Sequence, residues 1–188
     1  MARKIQQVVA IGAVAGLAVA ALFGFQQPKA PAAGQKAPEF TLASSKGGKV
    51  SLASLRKNGS VFLYFIKPGC PVNHDAIPFY NRIYSAHKNK ANFVGVISSD
   101  KAGYDKWQKE YKSPYPVLLD PDKKVIKQMG AQRSPWVIEV KKDGSIGKVW
   151  KGYSVAMLKE LNADLVRGGG AKGAKVDVSK APANSTFG

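Results

Sequence analysis

The chain has 188 residues, a formal net charge of +17 and a single cysteine. The length suits one domain. One Cys excludes an intramolecular disulfide and a zinc site built from several thiolates, and two histidines, His74 and His87, leave few soft metal ligands.

Residues 1–36 stand apart from the domain. Arg3 and Lys4 precede an uncharged run from Val8 to Phe25, followed by a Pro-containing stretch from Gln26 to Gly34. A basic flank before an apolar run at the N-terminus reads as a secretory signal or an uncleaved anchor. The run is rich in Ala and Gly, so it is weakly hydrophobic for a membrane span. The expected location is extracytoplasmic, periplasmic or secreted, with residues 8–25 as a tether to the inner membrane if they are retained.

Residues 37–167 carry the patterns of a folded domain. Phe40-Thr41-Leu42 and Val50-Ser51-Leu52 flank Lys46-Gly47-Gly48, which predicts a short hairpin. Val61–Ile66 (VFLYFI) is a continuous apolar run of strand length, the mark of a strand buried on both faces. Asn73–His87 has apolar residues at helical spacing, with Pro78 inside. Phe93–Ile97 predicts a second buried strand and Tyr104–Tyr111 a helix. Tyr115–Leu119 predicts a short strand and Val125–Met129 a short helix. Trp136–Val140 and Ile146–Trp150 are strands joined through Asp143-Gly144, a hairpin turn signal. Val155–Val166 closes the domain with Met157, Leu158, Leu161 and Leu165 on one helical face. Strands alternating with helices imply an α/β class with a parallel core, and the last hairpin adds an antiparallel edge. Residues 168–188 are rich in Gly, Ala, Lys and Ser and read as a flexible tail.

Cys70 is the first candidate for chemistry. It follows the Val61–Ile66 strand through Lys67-Pro68-Gly69 and precedes a helix. Reactive groups in open α/β sheets collect where strands end and helices begin. A thiol there faces unpaired N–H groups and the positive end of the helix dipole, which favour the thiolate. Lys67, Pro71, Asn73 and His74 surround it in sequence and are candidates for tuning it: Lys67 by charge, Asn73 by an amide hydrogen bond, His74 from four residues along the helix. Cys70 with His74 is half of a metal site and no third ligand is evident, so neither a metal nor a cofactor is expected. Pro135 directly precedes an apolar strand, where its missing N–H and its access to a cis peptide both matter.

These motifs together resemble a family. Lys67-Pro-Gly-Cys-Pro-Val-Asn73, Tyr115-Pro-Val-Leu-Leu-Asp-Pro-Asp122, Met129-Gly130 and Ser134-Pro-Trp-Val-Ile-Glu-Val-Lys-Lys-Asp-Gly144 are similar to the thioredoxin-fold redoxins. That group includes membrane-anchored thiol-disulfide oxidoreductases of the TlpA/ResA type and the alkyl hydroperoxide reductase/thiol-specific antioxidant (peroxiredoxin) proteins. The resemblance implies a thioredoxin fold: a central mixed sheet flanked by helices, with an N-terminal hairpin extension. It makes Cys70 the attacking cysteine and Pro135 the cis-proline. Ser134 becomes the residue whose backbone pairs with a substrate chain.

The departures define the chemistry. Where the disulfide reductases have Cys-x-x-Cys, this chain has Cys70-Pro71-Val72-Asn73, so the resolving cysteine is absent. Where peroxiredoxins have Thr or Ser three residues before the cysteine, this chain has Lys67. One thiol can still form a mixed disulfide or reduce a peroxide to leave a sulfenic acid, and either product needs an external thiol. The expected function is thus a thiol-dependent oxidoreductase, acting on peroxide or on protein disulfides. An external thiol reductant or thioredoxin-like protein would be its partner. The alternative is a non-catalytic thioredoxin-like binding or chaperone module. Nucleic-acid binding is not expected. Seven of the seventeen net positive charges lie outside residues 37–166, and the lysines within form no basic stripe.

Overall fold

The computed structural model describes residues 31–131 and 133–188. The expected signal or anchor, residues 8–25, lies outside them. Among the described residues no helix is long and apolar enough to cross a membrane.

Seven strands form one sheet: β1 (Thr41–Ser44), β2 (Lys49–Ser51), β3 (Val61–Ile66), β4 (Phe93–Ile97), β5 (Val117–Leu119), β6 (Trp136–Val140) and β7 (Ile146–Lys151). Their spatial order is β2-β1-β5-β4-β3-β6-β7. The pairs β3–β4 and β4–β5 are parallel, and the joints to β1 on one side and β6 on the other are antiparallel. The parallel core is therefore flanked by antiparallel hairpins at both edges, the mixed sheet expected for a thioredoxin-like fold. The helices are α1 (Leu52–Leu55), α2 (Pro71–Ala86), α3 (Lys101–Tyr111), α4 (Lys124–Gln128) and α5 (Val155–Asp164), the last running into a 3-10 turn at Leu165–Gly168.

Strand β3 shows why an unbroken apolar run belongs at the centre. Successive side chains in a strand point to opposite faces. Phe62, Tyr64 and Ile66 join one core cluster with residues of α2 and α5, while Val61, Leu63 and Phe65 join the other with Leu52 of α1 and Val125 of α4. Side-chain caps start three of the helices: Ser51 accepts from the Ser54 N–H, Asp100 from the Gly103 N–H at 2.8 Å, and Ser154 from the Met157 N–H. The short α1 has no counterpart in the sequence expectations. Ser51 caps it, but one helical turn is too brief to show a periodicity.

Both ends of the domain reach further than expected. Gly34 and Gln35 pair with Ile146 through backbone hydrogen bonds of 2.8 Å, so the fold begins before residue 37. Residues 168–188, read from composition as a flexible tail, return across the domain. Val178 and Ala181 are buried at 3% and 8% exposure in the core cluster that holds α2 and α5. The physical reason is that few apolar atoms suffice when the backbone is also paired: Asn162 donates to the Ala174 carbonyl at 2.7 Å, and the Val155 N–H donates to the Pro182 carbonyl at 2.9 Å. An ion pair secures the domain beside the 3-10 turn. Arg167 grips the buried Glu139 of β6 through both carboxylate oxygens, at 2.9 and 3.0 Å.

Candidate active site

Cys70 is the N-cap residue of α2, in extended backbone conformation, with Pro71 opening the helix. Proline suits that position because it has no N–H to leave unpaired and its fixed φ is helical. The helix is sixteen residues long, so its first-turn N–H groups offer a full dipole end to an anionic sulfur. Cys70 is a free thiol, 8% exposed. It lines a cleft of about 300 Å³ with Gly69, Pro71, His74, Asp75 and Tyr111.

Across from the thiol stands the start of β6. The Ser134–Pro135 peptide bond is cis. The Ser134 hydroxyl donates to the Phe65 carbonyl at 3.0 Å, tying this loop to the end of β3, and the Pro135 carbonyl accepts from the Gly152 N–H at 2.8 Å. The backbone N–H and carbonyl of the buried Ser134 bond to neither β3 nor β7. Both are taken by Gly188, whose N–H donates to the Ser134 carbonyl at 2.8 Å and whose carbonyl accepts from the Ser134 N–H at 3.1 Å. A Cβ placed on Gly188 would stand 2.7 Å from Cys70 Sγ. Cys70 and the Ser134 backbone therefore both face Gly188.

The other expected tuning residues divide. His74 shares the Cys70 cleft, yet it is more than half exposed and its Nδ1 faces Asp75 Oδ1 at 3.2 Å. Its Nε2 lies 3.9 Å from Glu110, and its ring stands edge-on to Tyr111. Lys67 is exposed and lines a different cleft, of about 160 Å³, with Ser98, Lys123, Arg133 and Ser134. Asn73 is buried and turned inward. Its Oδ1 accepts from the Tyr64 hydroxyl and its Nδ2 donates to the Lys67 carbonyl at 3.4 Å. Among the described residues, no side chain hydrogen-bonds the Cys70 sulfur. Both polar atoms of Asn73 are committed to the scaffold beneath it.

Two tyrosines complete the site without having been expected there. Tyr64 of β3 lies fully buried under the first turn of α2. Burial first, then neighbouring Tyr115, Tyr80 and Cys70, pushes its phenol well above the ordinary tyrosine range, so it acts as a neutral donor to Asn73. The sequence signal was a hydroxyl inside an otherwise apolar strand, which calls for a buried partner. Tyr111 at the end of α3 walls the cleft; burial, then Glu110 and Asp75, raises its phenol to about 12. Among the described residues no group of three or more His, Cys, Asp or Glu side chains converges as a metal site.

Comparison with known proteins places this arrangement. The model of the AhpC/TSA family matches residues 33–149. The chain belongs to the AhpC/TSA family. It is 27% identical over 121 residues to the thiol-disulfide oxidoreductase ResA of Bacillus thuringiensis subsp. konkukian, covering 63% of this chain and 69% of that protein. It is 34% identical over 101 residues to chloroplastic peroxiredoxin Q of Oryza sativa subsp. japonica, covering 52% of this chain and 45% of that one. Among solved structures, the thioredoxin domain of a Bacteroides vulgatus thiol-disulfide oxidoreductase superposes with a TM-score of 0.60 at 25% identity, covering 71% of this chain and 98% of that chain. All three are similar proteins of the thiol oxidoreductase class, the class of enzyme expected from Cys70 and its surroundings.

Proposed function

We propose that this protein is an exported thiol-dependent oxidoreductase that exchanges disulfides through Cys70 alone. The observation that carries the reading is the Cys70 thiol, at the N-terminus of a long helix, lying against the same backbone segment, Gly188, that pairs with the Ser134 N–H and carbonyl. An extended substrate chain paired with Ser134 would hold its disulfide against the sulfur, much as an added strand docks on a sheet edge.

The chemistry runs in two steps. The Cys70 thiolate attacks one sulfur of the substrate disulfide; a new S–S bond forms and the old one breaks, releasing the second substrate sulfur as a thiolate that takes up a proton. An external thiolate then attacks the mixed disulfide at the substrate sulfur and releases Cys70 as thiolate. That leaves the substrate joined to the external reductant, which completes the two-electron reduction with its own second thiol. Asn73 stands where a resolving cysteine would stand in a Cys-x-x-Cys protein, so the second step is intermolecular. Disulfide exchange is favoured over peroxide reduction because Lys67 stands where peroxiredoxins carry a Thr or Ser hydroxyl, three residues before the cysteine.

Export rests on the pattern of residues 1–36, a basic flank before an apolar run. Fractionating cells that carry the full chain, or one lacking residues 2–36, tests it: only the full chain should reach the extracytoplasmic side. Mass spectrometry of Cys70 after graded glutathione disulfide and hydrogen peroxide tests the chemistry, with Cys70→Ser as control. A mixed disulfide formed more readily than a sulfenic acid supports exchange. A dominant sulfenic acid points to peroxide reduction, and biological activity retained by Cys70→Ser points to a binding or chaperone module.

A further inference from the structure

Residues 182–188 run alongside Tyr153, Lys151 and Ser134. Thr186 and Tyr153 exchange both backbone hydrogen bonds, each 3.0 Å, as an antiparallel pair. The Ser185 hydroxyl donates to the Lys151 carbonyl at 2.8 Å. Gly188 then exchanges both backbone hydrogen bonds with Ser134. The guanidinium of Arg133 sits 5.1 Å from the centre of the Phe187 ring, which is otherwise exposed. Two further features shape the path. Gly152, at φ +94°, leaves room for the strap, since a Cβ there would come 2.5 Å from the Thr186 carbonyl oxygen. Gly188, without a side chain, passes directly in front of Cys70 Sγ.

We infer that residues 182–188 form a built-in strap that imitates a bound substrate strand and covers Cys70. The inference rests on the reading of Ser134 as the substrate-pairing residue and adds a regulation to it. A substrate polypeptide reaches the thiol by displacing the strap from Ser134 and Tyr153, so reactivity is set by competition between two strands for one edge. The segment is well suited to this use. Its outer part is held by backbone pairing and lies on the surface, whereas Val178 and Ala181 behind it are anchored in the core. The strap can therefore lift while its root stays in place. Apart from Phe187 its side chains are small, which suits a strand that is released and re-formed.

The test is the alkylation rate of Cys70 by iodoacetamide, followed by mass spectrometry, in the full chain and in two variants. One variant stops after Pro182, keeping Val178, Ala181 and the Pro182 contact. The other, Thr186→Pro, removes the N–H that donates to Tyr153. Rates are read up to the high-pH plateau, so that a change reports uncovering rather than ionisation. Each net backbone hydrogen bond is worth a few-fold in opening. Thr186→Pro, which loses one, should therefore react a few-fold faster, and the chain ending after Pro182, which loses all four, at least about tenfold faster. Circular dichroism should show the same fold. Rates within twofold of the full chain in the folded variants would overturn the strap. Alkylation needs no redox partner, which separates the two ideas. Faster alkylation with no exchange toward glutathione disulfide in any form keeps the strap and refutes the oxidoreductase; active exchange with unchanged alkylation does the reverse.

Discussion

The bond between Tyr64 and Asn73 ties the first turn of α2 to β3 and so holds the segment that presents Cys70. Replacing Asn73 with Leu removes the acceptor and leaves the fully buried Tyr64 hydroxyl unpaired. An unsatisfied buried polar group costs about 1–3 kcal/mol. The Asn73 Nδ2 bond to the Lys67 carbonyl is long, at 3.4 Å, so its loss adds little. We expect Asn73→Leu to lower stability by about 2 kcal/mol. Tyr64→Phe keeps the ring and its packing on Tyr80, with centroids 4.2 Å apart, but strands the Asn73 Oδ1. Its expected cost is about 1–2 kcal/mol. The double variant replaces both partners by apolar groups, so no polar atom is stranded. It should recover about 1–2 kcal/mol relative to the sum of the singles. Urea unfolding of the four chains measures this, with midpoints moving and slopes constant. Single effects that add to within about 0.5 kcal/mol would refute the claim that these groups serve each other.

Three other outcomes follow from the same geometry. Asn73→Cys places a second thiol at the resolving position; the variant should release bound substrate from Cys70 without added thiol, seen as loss of the mixed disulfide in single-turnover mass spectrometry. Arg167→Ala strips the partner from buried Glu139 and should cost about 3 kcal/mol in urea unfolding, the lower end for a broken buried pair because Arg167 is half exposed. The buried phenols of Tyr64, Tyr80 and Tyr115 are all pushed upward by burial. Their folded pKa values lie above the unfolded value, so their contribution is full below about pH 10 and lost as pH rises beyond it. Phenolate absorbance from these three should therefore appear together with loss of far-ultraviolet circular dichroism, not before it.

The sheet was legible in the chain because its central strands are buried on both faces and read as unbroken apolar runs. Val61–Ile66 and Phe93–Ile97 have the bounds the sequence suggests, as does Trp136–Val140, whose apolar run is broken by Glu139. Cys70 stands out from punctuation, a Pro-Gly before the thiol, whereas Pro135 on its own reads as a plain strand-entry proline and becomes a candidate only through the resemblance. Asn73 shows the limit. Three residues from Cys70 along a helix, it was a reasonable ligand for sulfur, but its contacts depend on a tyrosine nine positions earlier in a different element. The strap shows another. Composition registers apolar burial, and residues 182–188 are held mainly by backbone hydrogen bonds, which any sequence can make. Their registry with Ser134 and Tyr153 is set by the Val178 and Ala181 anchors and by Gly152 and Gly188, none of which forms a periodic pattern.

The central claim is that Cys70 is the attacking group. The most direct measurement is the mass of the folded chain after exposure to glutathione disulfide and then to an excess of an external dithiol. The account predicts one glutathione adduct, on Cys70, fully removed by the dithiol and absent from Cys70→Ser. A folded chain that stays unmodified both with and without residues 183–188, while the urea-unfolded chain is labelled at Cys70, would contradict it.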